Sequence, residues 1–435
     1  LRKNLLDNVN TQIVYTNELP ECFDFETLKT IYNYKFDLKS VDDRKDIPDF
    51  NGSTIYISQQ DNICDFNLSS NVDFHININP NFGRILLVNN VESENYISEI
   101  QHVRRRETIA MTPANTLSVL QLLLNQSINF NNSDIDSDKT SVISSIQKVT
   151  DVNTKPLIAS SGLSIQYAIL MGLVHDAVEK HKGKAIKIVV PPNCYGGTND
   201  QARRVAACLD NVDVVDLPVD GGNDMVKSID TVLTKIANED AIPYIIAEIP
   251  TNPRVEVPNL IKLENVLSQT RKTATGNTAI APVFILDQTF CPNVHFLGDN
   301  EILSTVSTIS FASGSKFPSG GKCTAGYCIA NKKAEAIIEK IELHLNLCDN
   351  EATNLQYEIL AKQLPSMNQR IRDAYKNTRE FVNFITEVLP GAKINFVSEE
   401  LAEQGFTPSV FSLDLPTKGD TSEERESYKR ALNLK

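Results

Sequence analysis

The stretch from Val306 to Lys316, VSTISFASGSK, is a short apolar run that ends in small residues and a lysine. A second apolar run, Val283-Phe284-Ile285-Leu286, lies upstream and ends at Asp287. Short apolar runs that are followed by turn residues are typical of buried strands. Both stretches therefore predict strands whose carboxyl ends carry polar or charged side chains.

Similar runs recur on both sides of these two. They occupy residues 186–190, 212–218, 243–249 and 325–330, and the segments between them have the apolar spacing of helices. Leu163 to Lys182, for example, is predicted to be a long and largely buried helix. Strands that alternate with helices build a mostly parallel sheet with helices on both faces. We therefore predict an α/β fold.

Three segments follow from these patterns. Residues 116–331 are predicted to form the large domain, and residues 332–435 a smaller α+β C-terminal domain that the end of the chain truncates. Its long helical stretch at 351–389 is expected to break near Pro365, because proline cannot continue a helix ladder. Residues 1–115 are rich in Asn and Asp, with short strand-like pieces at 54–57 and 84–88. They form a divergent segment or an extra domain to which the sequence assigns no chemistry.

Five polar motifs lie beside the apolar runs, at positions where α/β sheets bind ligands. In chain order they are Ser160-Ser161-Gly162, Tyr195-Gly196-Gly197-Thr198, Glu248-Ile249-Pro250-Thr251-Asn252-Pro253, Asp287-Gln288-Thr289-Phe290 and Ser313-Gly314-Ser315-Lys316. Each has an ordinary structural explanation when taken alone. Ser161 would cap a helix, Tyr195 would precede a Gly-rich turn before a helix starting near Asn199, Asn252 and Thr289 would be turn and strand-end residues, and Lys316 would be solvated. The order of all five is far more specific than any one of them.

This order, followed by the glycine pair Gly320-Gly321, resembles the Cys/Met metabolism (trans-sulfuration) family of pyridoxal phosphate enzymes. That family contains cystathionine and methionine lyases and cystathionine gamma-synthases, and the resemblance extends over residues 155–435. It implies the aspartate aminotransferase-like fold, fold type I, and the cofactor pyridoxal 5'-phosphate. Pro318 and Lys322 depart from the family pattern after the lysine.

The resemblance also implies a role for each motif residue. Lys316 would form the Schiff base with the cofactor and then remove the substrate α-proton, and Asp287 would face the pyridine nitrogen, where a negative charge keeps the ring protonated. Tyr195 would stack on the ring and act as a second acid or base, Asn252 would lie near the cofactor hydroxyl, and Thr289 would help to orient the ring. The cofactor phosphate would be bound by Ser161, by the N–H groups of Gly162 and Leu163, and by Ser313 and Ser315. A helix start favours such an anion on physical grounds alone.

The implied activity is elimination or gamma-replacement on cystathionine, methionine, cysteine or an O-acyl-homoserine, and the same residues serve all of these reactions. Family sites are shared between subunits, so a homodimer or homotetramer is expected. Two other interpretations stay open. One is a catalytically impaired relative, or a fragment, that acts as a binding or assembly subunit. The other is a different fold type I enzyme, such as an aminotransferase or cysteine desulfurase. The family's substrate-carboxylate arginine would lie beyond Lys435.

Composition excludes several other classes. The chain has 435 residues, 41% of them hydrophobic, and a net charge of −13, which argues against a nucleic-acid partner. The basic cluster Arg104-Arg105-Arg106 is predicted to be a solvated face. Neither a membrane-length apolar run nor a signal-peptide pattern occurs, the eight cysteines include no CxxC, and the six histidines show no metal-site spacing. We expect a cytoplasmic protein without a metal site. Cys194 and Cys291 flank the proposed cofactor loops and are either reactive thiols or, more commonly, small buried residues.

Overall fold

The computed structural model describes residues 10–16, 25, 29, 35–59, 71–79, 83–89, 113–124, 126, 135–219, 223–348, 350–414 and 418–433. The basic cluster at 104–106 lies outside these residues. The described strands are β1 Thr11–Thr16, β2 Asp37–Val41, β3 Ser53–Gln59, β4 Phe74–Asn79, β5 Gly83–Val88, β6 Leu157–Ala159, β7 Ile186–Val190, β8 Val212–Asp216, β9 Ile242–Glu248, β10 Val283–Asp287, β11 Thr308–Ser313, β12 Gly326–Ala330, β13 Lys393–Asn395 and β14 Ser412–Asp414. The described helices are α1 Pro113–Leu123, α2 Ile135–Thr150, α3 Gly162–Lys180, α4 Gly196–Ala206, α5 Met225–Asn238, α6 Leu260–Ser268, α7 Ile338–Leu347, α8 Asn354–Gln363, α9 Met367–Val388, α10 Glu399–Glu403 and α11 Ser422–Asn433.

A seven-stranded sheet forms the centre of the molecule, in the order β6-β12-β11-β10-β9-β7-β8. Its strands are parallel except β12, which runs antiparallel to both β11 and β6. Successive residues of β9 belong to different cores, with Ile245 in one apolar cluster and Ile246 in the other. Both faces of the sheet are therefore covered, and the predicted α/β class with a mostly parallel sheet is confirmed.

Helix α3 packs against α7 on one face of this sheet. Thirteen of its residues are buried, which explains why its sequence is apolar on most sides. The two helices approach closely at Gly172, where an added Cβ would lie 2.8 Å from the backbone nitrogen of Ile341. Only a glycine permits this spacing. The close contact holds α3 in place and so fixes the position of its N-terminus.

A separate five-stranded sheet is formed by the N-terminal part of the chain, in the order β2-β1-β3-β4-β5. Its first four strands are parallel, and β5 returns antiparallel to β4. The strand-like pieces predicted at 54–57 and 84–88 are confirmed as parts of β3 and β5. Sequence patterns did not reveal β1, β2 and β4, because polar residues such as His75 and Asn77 interrupt their apolar runs.

The C-terminal part consists mainly of helices. A 3₁₀ turn at Leu364–Ser366, with Pro365 inside it, separates α8 from α9, so the predicted break is confirmed. Strands β13 and β14 pair antiparallel. No helix in the part of the chain that the structure describes is long and apolar enough to cross a membrane.

Candidate active site

A cavity of about 290 Å³ lies where β7, β9, β10 and β11 end and α3 begins. This volume is near the lower limit for sites that enclose small molecules. All ten residues predicted from the motifs line it: Ser161, Gly162, Leu163, Tyr195, Asn252, Asp287, Thr289, Ser313, Ser315 and Lys316. Its wall also contains residues that were not predicted: Gln166, Thr198, Glu248, Pro250, Phe290, Phe311 and Thr324. The structure thus brings the five motifs together at one edge of the sheet.

The first wall of the cavity is the N-terminus of α3. Ser161 caps the helix, because its Oγ accepts a hydrogen bond of 3.0 Å from the N–H of Ser164. The next residue, Gly162, lies against β11, where an added Cβ would be 3.0 Å from Cβ of Ser313. A side chain at this position would push the helix away from the strand. The unpaired N–H groups of the helix start and the hydroxyl of Ser313 consequently line the same space.

A chain of hydrogen bonds connects the second wall. Asp287 Oδ1 accepts from the N–H of Thr289 at 2.8 Å, and Thr289 Oγ1 accepts from the N–H of Ser313 at 3.0 Å. The hydroxyls of Ser313 and Ser315 lie 2.8 Å apart, and Lys316 Nζ donates to Ser315 Oγ at 3.4 Å. Thr289 therefore fixes the carboxylate of Asp287 and connects the end of β10 to the end of β11.

Asp287 is 8% exposed, and its burial raises the pKa of its carboxyl group. The hydrogen bonds from Thr289 and the positive charge of Lys316 act in the opposite direction and favour the ionised form. The lysine and the aspartate therefore influence one another across the cavity, as the sequence analysis expected from their positions.

Glu248 is the main site residue that sequence analysis missed. It is the register partner of Asp287 on the neighbouring parallel strand and is 7% exposed. Its Oε1 accepts from the N–H of Tyr195 at 2.8 Å, and its Oε2 accepts from the N–H of Asn252 at 3.2 Å. Burial and then the charge of Asp287 raise the pKa of Glu248. The signal was present, because Glu248 closes an apolar run in the same way as Asp287 does.

The Tyr195 motif differs from its predicted form. Helix α4 begins at Gly196 instead of near Asn199, because the carbonyl of Tyr195 already accepts from the N–H groups of Thr198 and Asn199. Gly197 is needed here, since an added Cβ would lie 2.6 Å from the Tyr195 ring. The Tyr195 side chain is 51% exposed and forms an open side of the cavity.

The two thiols beside the cofactor loops are buried. Burial raises the pKa of Cys194 and raises that of Cys291 to about 12. Because the thiolate is the reactive form, both side chains are unreactive packing groups at neutral pH. The commoner of the two interpretations of these cysteines therefore agrees with the structure.

Histidine spacing gave no metal site, yet folding brings Asp151, His295 and Glu301 together. Their potential ligand atoms all lie within 4.8 Å of one another, and Asp151 and His295 are exposed. Exposed acidic groups commonly lie this close without a metal ion, so we assign no metal site to them.

No family model matches this chain, and no curated protein shows significant sequence similarity to it. Among solved structures, it is similar to metB from Corynebacterium glutamicum, with 16% identity over 63% of this chain and 64% of that chain and a TM-score of 0.47. It is also similar to the cystathionine gamma lyase CalE6 from Micromonospora echinospora (15% identity, 65% and 67% coverage, TM-score 0.49). The apo form of CalE6, described as a methionine gamma lyase, gives 15% identity, 64% and 68% coverage and a TM-score of 0.49. At this level of similarity, function has to be argued from the cavity itself.

Proposed function

We propose that the protein is a pyridoxal phosphate-dependent enzyme of fold type I, of the Cys/Met metabolism type. Its substrate would be a sulfur amino acid or an O-acyl-homoserine, processed by elimination or gamma-replacement. One observation carries the proposal. A lysine, a buried aspartate, two serine hydroxyls and a helix N-terminus, which are far apart in sequence, line a single cavity.

The cavity fits the cofactor in four respects. Asp287 supplies a buried negative charge for the pyridine nitrogen, and Lys316 supplies an amine for the aldehyde. The start of α3, together with Ser313 and Ser315, supplies donors for a phosphate, and the missing side chain of Gly162 keeps that space open. Tyr195 supplies an aromatic face. When bound, pyridoxal phosphate acts as an electron sink that stabilises negative charge at the substrate α-carbon.

The proposed roles of the protein groups follow from their contacts. Lys316 removes a proton from the substrate α-carbon and can return it. Asp287, fixed by Thr289, holds its negative charge in a buried position where electrostatic effects are strong. The hydroxyl of Tyr195 protonates the leaving sulfur or oxygen from the open side of the cavity. Glu248 acts as a positioning residue, because it binds the N–H groups of both Tyr195 and Asn252.

The proposal is tested with the absorption spectrum of the purified full chain after addition of pyridoxal phosphate. We expect a visible band from lysine-bound cofactor that is absent in Lys316→Ala and present in Lys322→Ala. Lys322 is an exposed lysine in the same loop and therefore serves as a matched control. Cystathionine, methionine, cysteine and O-acetylhomoserine are then added in turn. Ammonia and an oxo acid indicate elimination, and a new thioether indicates gamma-replacement.

The two outcomes separate the candidate functions. No band in the wild type would exclude the cofactor assignment. A band without turnover of any amino acid would favour the catalytically impaired binding subunit. The presence of all ten predicted residues around one cavity supports the enzyme over that alternative.

Three further features belong to this proposal. We propose domains at residues 1–115, 116–331 and 332–435, although α7 of the last segment packs on α3. We propose a homodimer or homotetramer, on the family resemblance, which light scattering would test. We also propose a cytoplasmic location. The six cysteines of the described residues are free, as a reducing compartment would keep them, and microscopy of a tagged chain would test this location.

A further inference from the structure

The N-terminal sheet has a ligand-binding position of its own, independent of the proposed function. From β1 the chain first adds β2 on one side, and then returns to add β3 and β4 on the other. This is the strand order of flavodoxin-like sheets, in which the connections reverse direction between β1 and β3. Ligands of open α/β sheets bind at the carboxyl ends of the strands beside such a reversal.

The two faces of β3 differ in polarity. Ile55 and Ile57 point into an apolar cluster with Ile13 and Phe74. The alternate residues Thr54, Tyr56 and Ser58 lie on the opposite face and are at most 2% exposed. On the neighbouring strand, His75 pairs in register with Tyr56, and Asn77 pairs with Ser58; each is 1% exposed. This face therefore buries an unusual number of polar groups.

At the amino end of that face the polar groups are paired. Gln12 Nε2 donates to Thr54 Oγ1 at 2.8 Å and to the carbonyl of Pro48 at 3.3 Å. The N–H of Thr54 donates to Asp73 Oδ2 at 2.8 Å. These contacts are sufficient to account for the buried polar residues there, so that end needs no ligand.

The carboxyl end is different. Ser58 Oγ and His75 Nε2 lie 2.8 Å apart, and the rings of His75 and Tyr56 are 4.8 Å apart between centroids. In the part of the chain that the structure describes, however, three buried atoms have no hydrogen-bond partner: His75 Nδ1, Asn77 Oδ1 and Arg44 Nη2. A buried polar atom without a partner costs roughly 1–3 kcal/mol, and in native proteins a water, ion or ligand usually satisfies it.

Arg44 supplies the positive charge of this cluster. It lies in a 3₁₀ turn, Arg44–Asp46, just after the carboxyl end of β2. Burial and then the charge of Arg44 lower the pKa of His75 to about 4, so the imidazole is neutral at neutral pH. Arg44 likewise acts on the pKa of Tyr56, which burial raises. The guanidinium is therefore close to both rings.

We propose that Arg44 and His75 bind an oxyanion, the phosphate or carboxylate group of a small ligand, at the carboxyl ends of β1 and β3. When the hydroxyl of Ser58 donates to His75 Nε2, the ring proton lies on Nδ1, which becomes a donor. Nδ1 and Arg44 Nη2 then offer two unpaired N–H groups, one of them charged, and oxyanions are the usual partners of such donors. The Asn77 amide can offer its NH₂ group after a half-turn. Because these atoms are buried, the bound group is a small one.

The test uses the full chain, with histidine ring nitrogens labelled for NMR and inorganic phosphate as the probe. The His75 signals are those that disappear in His75→Gln. We expect them to shift in a saturable manner. The apparent affinity should fall at least tenfold in Arg44→Gln and in part in Arg44→Lys. It should stay unchanged in Lys45→Gln, which removes an exposed charge from the next position.

Circular dichroism shows that each variant is folded before the titration. Sodium acetate in a parallel titration separates a carboxylate preference from a phosphate preference, and a response to either one supports the site. Two results would overturn it: His75 signals that respond to neither anion, and an affinity that is the same in Arg44→Gln as in the wild type. Phosphate bound in the large-sheet cavity would not be confused with this site, because it would leave the His75 signals in place.

Discussion

Buried titratable groups lie at two places around α3, and they behave in opposite ways. At its N-terminus the carboxyl groups of Glu248 and Asp287 line the cavity, and burial raises the pKa of both. Further along the helix, His175 lies in the interface with α7, where burial lowers its pKa and lowers that of His344 to about 3. Desolvation has the same origin in both regions, since it disfavours whichever form is charged.

The difference lies in what these groups contact. The histidines pair with each other, His175 Nδ1 to His344 Nε2 at 3.1 Å. Glu179 accepts from Lys340 Nζ at 2.8 Å and lies 2.9 Å from His175 Nε2, so an ion pair closes the group from the solvent side. The carboxyl groups face a cavity that can receive a cationic ring. A buried charge that finds its partner inside the protein is structural, whereas one that faces open space indicates a ligand.

The two regions also respond to pH with opposite signs. The folded-state pKa values of the histidines are lowered, so the stability they contribute is present above the unfolded value of about 6.5 and is lost as the pH falls. Those of the carboxyl groups are raised, so the stability they contribute is present below the unfolded value of about 4 and is lost as the pH rises. Acid should therefore act on the α3–α7 interface and spare the cavity.

The largest expected effect comes from Asp287→Asn. The amide keeps the shape but removes the negative charge that the pyridine nitrogen needs, so we expect kcat/KM to fall by at least about 100-fold. The lysine-bound cofactor band should persist, because Lys316 is intact. Steady-state kinetics and absorption spectra of the variant measure both. Activity within threefold of wild type would show that Asp287 is not the ring partner.

A smaller effect is expected from Glu248→Gln. Glutamine can accept from only one of the N–H groups of Tyr195 and Asn252, because its NH₂ group faces the other. We expect a loss of about tenfold in kcat/KM and a changed pH profile, since one of two adjacent ionisable groups is gone. Glu256→Gln, at an exposed position in the same loop, is the control and should match the wild type. An unchanged profile in Glu248→Gln would remove Glu248 from the site.

The smallest effect concerns acid stability. Between pH values of about 6.5 and about 3, the free energy of unfolding of the wild type should fall by up to about 1.4 kcal/mol per pH unit for the His344 proton. His344→Gln should give a shallower slope in denaturant titrations, while its activity at neutral pH stays at the wild-type level. The exposed His295→Gln is the matched variant. Equal slopes in all three proteins would contradict a role for the buried pair.

The sequence predicted the large sheet and the cavity far better than the rest. Runs 186–190 and 283–287 coincide with β7 and β10, because strands buried on both faces are continuously apolar. It missed β6, whose three residues are too few for a pattern, and it did not use the acidic end of β9. The His175–His344 contact joins positions 169 residues apart, and no local pattern indicates such a pairing. The order of the N-terminal strands was likewise hidden, since it depends on how the chain crosses over.

The antiparallel strand β12 has a consequence for the order in which the chain matures during synthesis. It is the partner of β6, so residues 157–159 wait for residues 326–330 to be translated before their edge of the sheet can close. All strands of the N-terminal sheet lie between Thr11 and Val88, and they can pair long before that point. Contacts between distant parts of a chain form slowly, and domains tend to fold in the order of their synthesis. A nascent chain should therefore carry a finished first sheet while its cofactor cavity is still incomplete, and pyridoxal phosphate can stabilise only the last stage of folding.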